Sequence, residues 1–262
     1  MIDTHCHLTY ERLHERVEEV LNAAAAADVD RMITVGTSPT DSQAACDLAE
    51  RFNNVYATVG VHPHEAACCT DKALIDDTLR RLAGHRRVVA LGEIGLDTYY
   101  KDPPLEDQLR LLDWQLALAA ELPESGPIVI HNRQATQRLL SVLEASGIPG
   151  TRFVFHCFTG DEAELDSILT FGAMVSFTGI VTFANARNLA TSAARVPVDR
   201  LMIETDSPYL TPEPHRKVRP NEPRFVPFVA EFLAVQRGVE KDAFVEAVDE
   251  NAVRFFGLNH RA

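Results

Sequence analysis

No stretch of the chain approaches the roughly 20 consecutive apolar residues that a membrane-spanning helix needs, so no membrane association is expected. The amino terminus, Met1-Ile2-Asp3-Thr4-His5, has neither the basic start nor the apolar core of a secretory signal. Cysteine is sparse. The five present are Cys6, Cys46, Cys68, Cys69 and Cys157, an odd number with an adjacent pair ill suited to bridging. A disulfide framework is therefore not expected, and reduced thiols in a cytoplasmic protein are. Cations are outnumbered, 25 Lys and Arg against 38 Asp and Glu for a net charge of −13. That balance argues against a broad, non-specific footprint on duplex DNA, while leaving room for a nucleic acid held locally through metal ions. Linkers, low-complexity tracts and internal repeats are missing too. The whole of 1–262 is thus expected to be one domain. With 46% apolar and 24% charged residues it can bury a sizeable core, which excludes intrinsic disorder.

What is present is an alternation of short apolar runs with longer amphipathic ones. Strands are expected at Met1–Asp3, Arg31–Val35, Val55–Val59, Val88–Leu91, Ile128–Ile130, Phe153–Phe155, Met174–Phe177 and Leu201–Ile203, eight in all. Stretches such as Arg12–Ala27 and Leu105–Leu122 between them carry apolar residues at helical spacing. Eight strand-then-helix units in this length point to a parallel (β/α)8 TIM barrel, with a doubly wound open sheet as the alternative. After the last strand, Pro208–Pro227 is too long for an ordinary connection. Two helices, at about Arg224–Arg237 and Lys241–Phe256, close the chain, with Gly257 as the final stop.

Chemistry-bearing residues gather where these strands end. His5 and His7 stand two apart after the first, so strand periodicity puts both imidazoles on one face. Glu93 follows the fourth, His131 the fifth, His156 the sixth and Asp206 the eighth. In a parallel barrel those carboxyl ends converge on one mouth. Six ligand-type side chains there suffice for two metals with a carboxylate between them. Any one of them alone reads as an ordinary core histidine or helix cap; the joint pattern over five strands does not. His14, His85 and His260 fall elsewhere and are expected to be solvated or capping residues.

The segments Asp3-Thr4-His5-Cys6-His7, Gly60-Val61-His62-Pro63-His64, Gly92-Glu93-Ile94-Gly95-Leu96-Asp97, Pro127 through Arg133, His156-Cys157-Phe158-Thr159-Gly160, Glu204-Thr205-Asp206-Ser207-Pro208 and Asn221-Glu222-Pro223 occur in this order. In them the chain, along essentially its whole length, resembles the TatD-type metal-dependent deoxyribonucleases of the amidohydrolase-like barrel superfamily. The resemblance implies a barrel with a two-metal site that hydrolyses nucleic-acid phosphodiesters. Carried over by position, it implies that His5, His7 and Asp206 hold one divalent ion, His131 and His156 a second, and Glu93 bridges them. The segment Leu122–Gly126 and the Pro-, Arg- and His-rich stretch Glu213–Pro220 depart from the usual pattern, which bears on substrate choice.

These residue types suit the chemistry. A divalent cation acidifies water for attack on phosphorus, and mixed imidazole and carboxylate ligands accommodate zinc, manganese or magnesium. Asp206 and Glu93 are the candidate catalytic carboxylates, with Asp206 taking the water proton and Glu204 a weaker candidate for orienting neighbours. His62, His64 and Arg133 are candidates for substrate phosphate contact. Arg216, Lys217, Arg219 and Arg224 form a basic patch for substrate guidance, and Tyr99, Tyr100 and Phe158 are candidates for stacking bases. Cys6 and Cys157 are expected to be core thiols. The expected activity is cleavage of DNA, as single strands or at ends, without an obligate protein partner. The alternatives are an amide or ester hydrolase using the same site, such as an aminoacyl-ester deacylase, and a non-catalytic metal-binding barrel.

Overall fold

The computed structural model describes residues 1–122 and 126–258. Its strands are β1 (Ile2–Cys6), β2 (Arg31–Val35), β3 (Val55–Val59), β4 (Val88–Asp97), β5 (Ile128–Arg133), β6 (Phe153–Phe155), β7 (Met174–Phe177) and β8 (Leu201–Ile203). They form one eight-stranded sheet in sequence order, every neighbouring pair parallel. The ends meet where Cys6 bridges Ser207, the His7 N–H donates to the Ser207 carbonyl at 2.7 Å and the Asp206 N–H donates to the His5 carbonyl at 2.9 Å. The open-sheet alternative is thereby excluded: the fold is a TIM barrel. Strands β1, β4 and β5 run further than expected, to Cys6, Asp97 and Arg133. Glu93 therefore lies within β4, at a shift in register, and not after it.

The helices are α1 (Glu11–His14), α2 (Val17–Ala25), α3 (Pro39–Arg51), α4 (Lys72–Ala83), α5 (Leu105–Glu121), α6 (Thr136–Ala145), α7 (Glu162–Phe171), α8 (Arg187–Arg195), α9 (Val226–Arg237) and α10 (Lys241–Phe256). Local signals explain several ends. Ser38 caps α3 through the Asp41 N–H, with Pro39 in the first turn. Asp161 and Glu164 form a capping box on α7, which Gly172 ends in the left-handed region. The helix expected over Arg12–Ala27 is broken, because Arg16 leaves helical backbone and its guanidinium pairs with Glu222 in the loop after β8. The start of α9 is likewise later than expected, after a tight turn at Pro223–Phe225.

Strand periodicity positions the site. Near the amino ends, the barrel interior is an apolar layer that includes Ile2, Ile33, Tyr56, Val129, Val154 and Met202, plugged by Ala252 and Phe256 of α10. Two residues on from Val129, Val154 and Met202 come His131, His156 and Glu204. The same inward direction thus changes from packing to chemistry over one repeat. Gly95 permits this crowding: at φ +152° a Cβ there would collide with the His131 carbonyl. His85 pairs with Glu50 and His14 is exposed, as expected for residues away from the mouth. His260 and most of the departure at Leu122–Gly126 lie outside the described residues. Among the described residues no helix is long and apolar enough to cross a membrane.

Candidate metal centre

Glu93 is the hub. Its Oε1 lies 2.6 Å from His156 Nε2, 2.8 Å from His131 Nδ1 and 3.6 Å from His62 Nε2, while Oε2 lies 3.5 Å from His5 Nε2. The Oδ1 of Asp206 is 3.3 Å from His7 Nε2 and 3.8 Å from His5 Nε2. Asp206 sits beside the two histidines, since β8 adjoins β1. Its φ of +52° belongs to the left-handed region, as do Gln134 after β5, Cys157 after β6 and Leu210 beyond β8. Backbone strain thus collects on the face where the ligand-type side chains converge.

Three sets of donor atoms lie within 4.8 Å of one another: His5, His7 and Asp206; His5, Glu93 and His156; and His62, Glu93 and His131. All six residues singled out for metal are brought together, and His62 joins them. Both ring nitrogens of His5 are buried without a hydrogen-bond partner among the described residues. An orphaned imidazole in such a place is costly, and a divalent cation is the group that satisfies it. The donor set fits a metal.

Electrostatics follow from the crowding. Burial disfavours the Glu93 charge, but the His156 charge and bonds from His131 and His156 hold its carboxyl well below the usual range. Burial opposes charge on His156 too, yet Glu93 and Glu204 raise it well above an ordinary imidazole. Burial and His156 lower His5, and burial and His131 push His62 far down. For His7 the Asp206 carboxylate outweighs burial and raises it. Asp3, beneath His5, is pushed by burial up to about 8, although Thr205 bonds to it twice.

The supporting shell was only partly foreseen. Glu204 is buried, accepts the Cys157 N–H at 2.7 Å and lies 3.4 Å from His156 Nδ1, with Thr4 as a further donor at 3.3 Å. Asp97, given no role from sequence, is fully buried and grips His64 Nε2 at 2.9 Å and His131 Nε2 at 3.2 Å. Burial disfavours its charge, but the bonds from His131 and His64 hold the carboxyl below its ordinary value. Its place as the last residue of the Gly92-Glu93-Ile94-Gly95-Leu96-Asp97 segment was the available signal.

Around the rim, Arg133 stacks over Tyr99 and Tyr100, 4.0 and 5.1 Å from the ring centres. Phe158, expected to stack bases, is instead buried edge-on against Phe177 at 5.9 Å. It packs the barrel wall. The basic patch is largely engaged within the protein: Arg216 lies on Phe183, Arg219 donates to Thr211 and Arg224 pairs with Glu222 at 2.9 Å. Cys6 is a core thiol, but Cys157 is only half-buried, at a strained backbone position beside Thr178.

The TatD related DNase family profile matches residues 2–257. The chain belongs to the TatD related DNase family. Among TatD relatives, it is 36% identical over 259 residues to the metal-dependent hydrolase YabD of Bacillus subtilis, covering 99% of this chain and 100% of that protein. It is 38% identical to the 3′-5′ ssDNA/RNA exonuclease TatD of Cronobacter sakazakii, over 99% of this chain and 98% of the relative. The crystal structure of the TatD homologue YjjV from Escherichia coli superposes with a TM-score of 0.92 at 29% identity, covering 99% and 98% of the two chains.

Proposed function

We propose that this TatD-family hydrolase is a cytoplasmic, single-domain deoxyribonuclease that uses two divalent ions, zinc, manganese or magnesium, to shorten single-stranded DNA from its ends without a protein partner. The observation that carries the reading is Glu93, whose two oxygens face different histidines, His156 and His131 on one side and His5 on the other. A carboxylate so placed suits bridging two ions. The name of the Cronobacter relative supports the single-stranded substrate, and five unpaired cysteines suit a reducing compartment. Nothing at the site favours an amide or ester substrate.

His5, His7 and Asp206 would hold the first ion, His131 and His156 the second. When bound, the ions supply Lewis acidity toward phosphoryl oxygens and acidify water. The polar neighbours of a ring bear on which nitrogen it would offer. With Asp97 holding His131 Nε2, Nδ1 is the nitrogen that would offer its lone pair to an ion beside Glu93. With Glu204 near His156 Nδ1, Nε2 faces the same way. His62 is the opposite case. Its Nδ1 accepts the His64 N–H at 3.1 Å, which leaves the proton on Nε2, aimed into the site. That makes it a donor toward a substrate oxygen and a poor ligand. His64 and Arg133 extend the phosphate contacts outward. Asp206, with Oδ1 toward the histidines, takes the water proton on Oδ2.

The test is to present the metal-loaded protein with end-labelled single-stranded DNA, duplex DNA, RNA and an aminoacyl ester, with and without chelator. Progressive shortening of the single strand, abolished by chelator, is expected. Ester hydrolysis with no DNA cleavage would overturn the reading.

A further inference from the structure

Four of the chain's five tyrosines, Tyr10, Tyr99, Tyr100 and Tyr209, are between 38% and 54% exposed, while Tyr56 is packed in the barrel. Each exposed one is rooted close after a carboxylate or histidine of the centre. The Tyr10 N–H donates to the His7 carbonyl at 3.1 Å, and the Tyr209 N–H donates to the Asp206 carbonyl at 2.9 Å. Both rings thus stand three residues beyond a residue of the same candidate ion site. They meet edge-to-face at 6.2 Å, and Tyr209 lies 6.4 Å from the His7 ring. Tyr99 and Tyr100 are anchored on the other flank through their N–H groups to Asp97.

The two flanks differ in what covers them. Arg133 already lies over Tyr99 and Tyr100, so that flank presents a cation. The ring contacts of Tyr10 and Tyr209 are with each other and with His7. An aromatic ring kept half in water beside a phosphate-cleaving centre has a face to offer a planar group. Asn221 fixes the Tyr209 carbonyl from behind while also bonding Thr205, so the ring is presented from an ordered backbone. We propose that the Tyr10–Tyr209 pair is a nucleobase-stacking subsite. It would take the base of the nucleotide next to the scissile phosphate, with Tyr209 as the platform and Tyr10 as its edge support. The Arg133 flank takes backbone phosphate. Because paired bases keep their faces covered by neighbours, such a subsite selects an unpaired nucleotide.

The proposal rests on the nuclease reading, so the test reads binding as well as cleavage. A single-stranded oligomer is compared with the same oligomer carrying an abasic residue at its terminal position, by fluorescence anisotropy and by cleavage rate. The wild type should prefer the base-bearing oligomer by about 10-fold, the worth of one stacked base. In Tyr209→Ala the preference should collapse to less than about 2-fold, and Tyr209→Phe should retain it. Tyr10→Ala should fall between them. An equal preference in wild type and Tyr209→Ala overturns the subsite, even where DNA is cleaved. Binding with the predicted preference but without cleavage would uphold the subsite and reject the nuclease reading. Failure to bind either oligomer rejects both.

Discussion

At the scale of single residues, the centre is a set of carboxylates that decide what the histidines do. Asp97 is the clearest case. It holds the far nitrogens of both His131 and His64 from a fully buried position. Asp97→Asn keeps the shape but loses the charge that fixes the His131 tautomer. Metal affinity, measured by competition with a chelating indicator, should fall by roughly 10- to 100-fold; unchanged affinity would show that His131 is positioned by Glu93 alone. Asp206→Asn asks a different question, because a ligating oxygen survives while most of the basicity goes. At saturating metal, turnover should drop by roughly 10²- to 10⁴-fold with the protein still folded. Near-normal turnover would leave Asp206 a replaceable ligand. The ligand-type residues were legible in the sequence because each follows an apolar run, although His5, Glu93 and His131 lie inside strands that continue past them. Asp97 and Glu204 were harder to read. Their partners, His64, His131, His156 and Thr4, come from other parts of the barrel, and only tertiary pairing reveals the contacts.

At the scale of elements, strands bring the chemistry and their neighbours fix it. Five of the eight strands run between the bounds that alternation and apolar runs predict. Those that run on, β1, β4 and β5, carry His5, Glu93 and His131, polar residues that apolar patterning reads as loop. The break before α2 was invisible for a similar reason, since the partner of Arg16 is Glu222, 206 residues away. At the opposite end of the barrel, Asp249 of α10 fastens β1. It accepts the Ile2 N–H at 2.9 Å and lies 3.5 Å from the Met1 ammonium. Burial raises the Asp249 carboxyl above its ordinary value, although that ammonium and the Ile2 bond pull it down. An acid with a raised folded-state value binds its proton more tightly folded than unfolded. Its contribution to stability therefore grows as pH falls from the raised value toward the unfolded value of about 3.9, and is lost as pH rises. The urea midpoint of the wild type, relative to Asp249→Asn, should accordingly shift in the wild type's favour between about pH 7 and pH 4. A shift the other way would mean that the ammonium pair outweighs burial.

At the scale of the molecule, the barrel divides labour between its ends. One end is an apolar layer plugged by α10, and the other gathers buried polar groups in a strained backbone frame. A net charge of −13 and a basic loop whose arginines are mostly engaged within the protein leave no broad attraction for a polyanion. On the proposed reading, recognition falls to the centre and its aromatic rim, and cations would hold Glu93, Asp206 and their histidines around a phosphate. Counting bound ions is the most direct measurement of that dependence. Native mass spectrometry of the reconstituted protein should show two divalent ions per chain, and Glu93→Ala should retain at most one. A single ion in the wild type, or two ions still bound after Glu93 is removed, would contradict a centre bridged by that carboxylate.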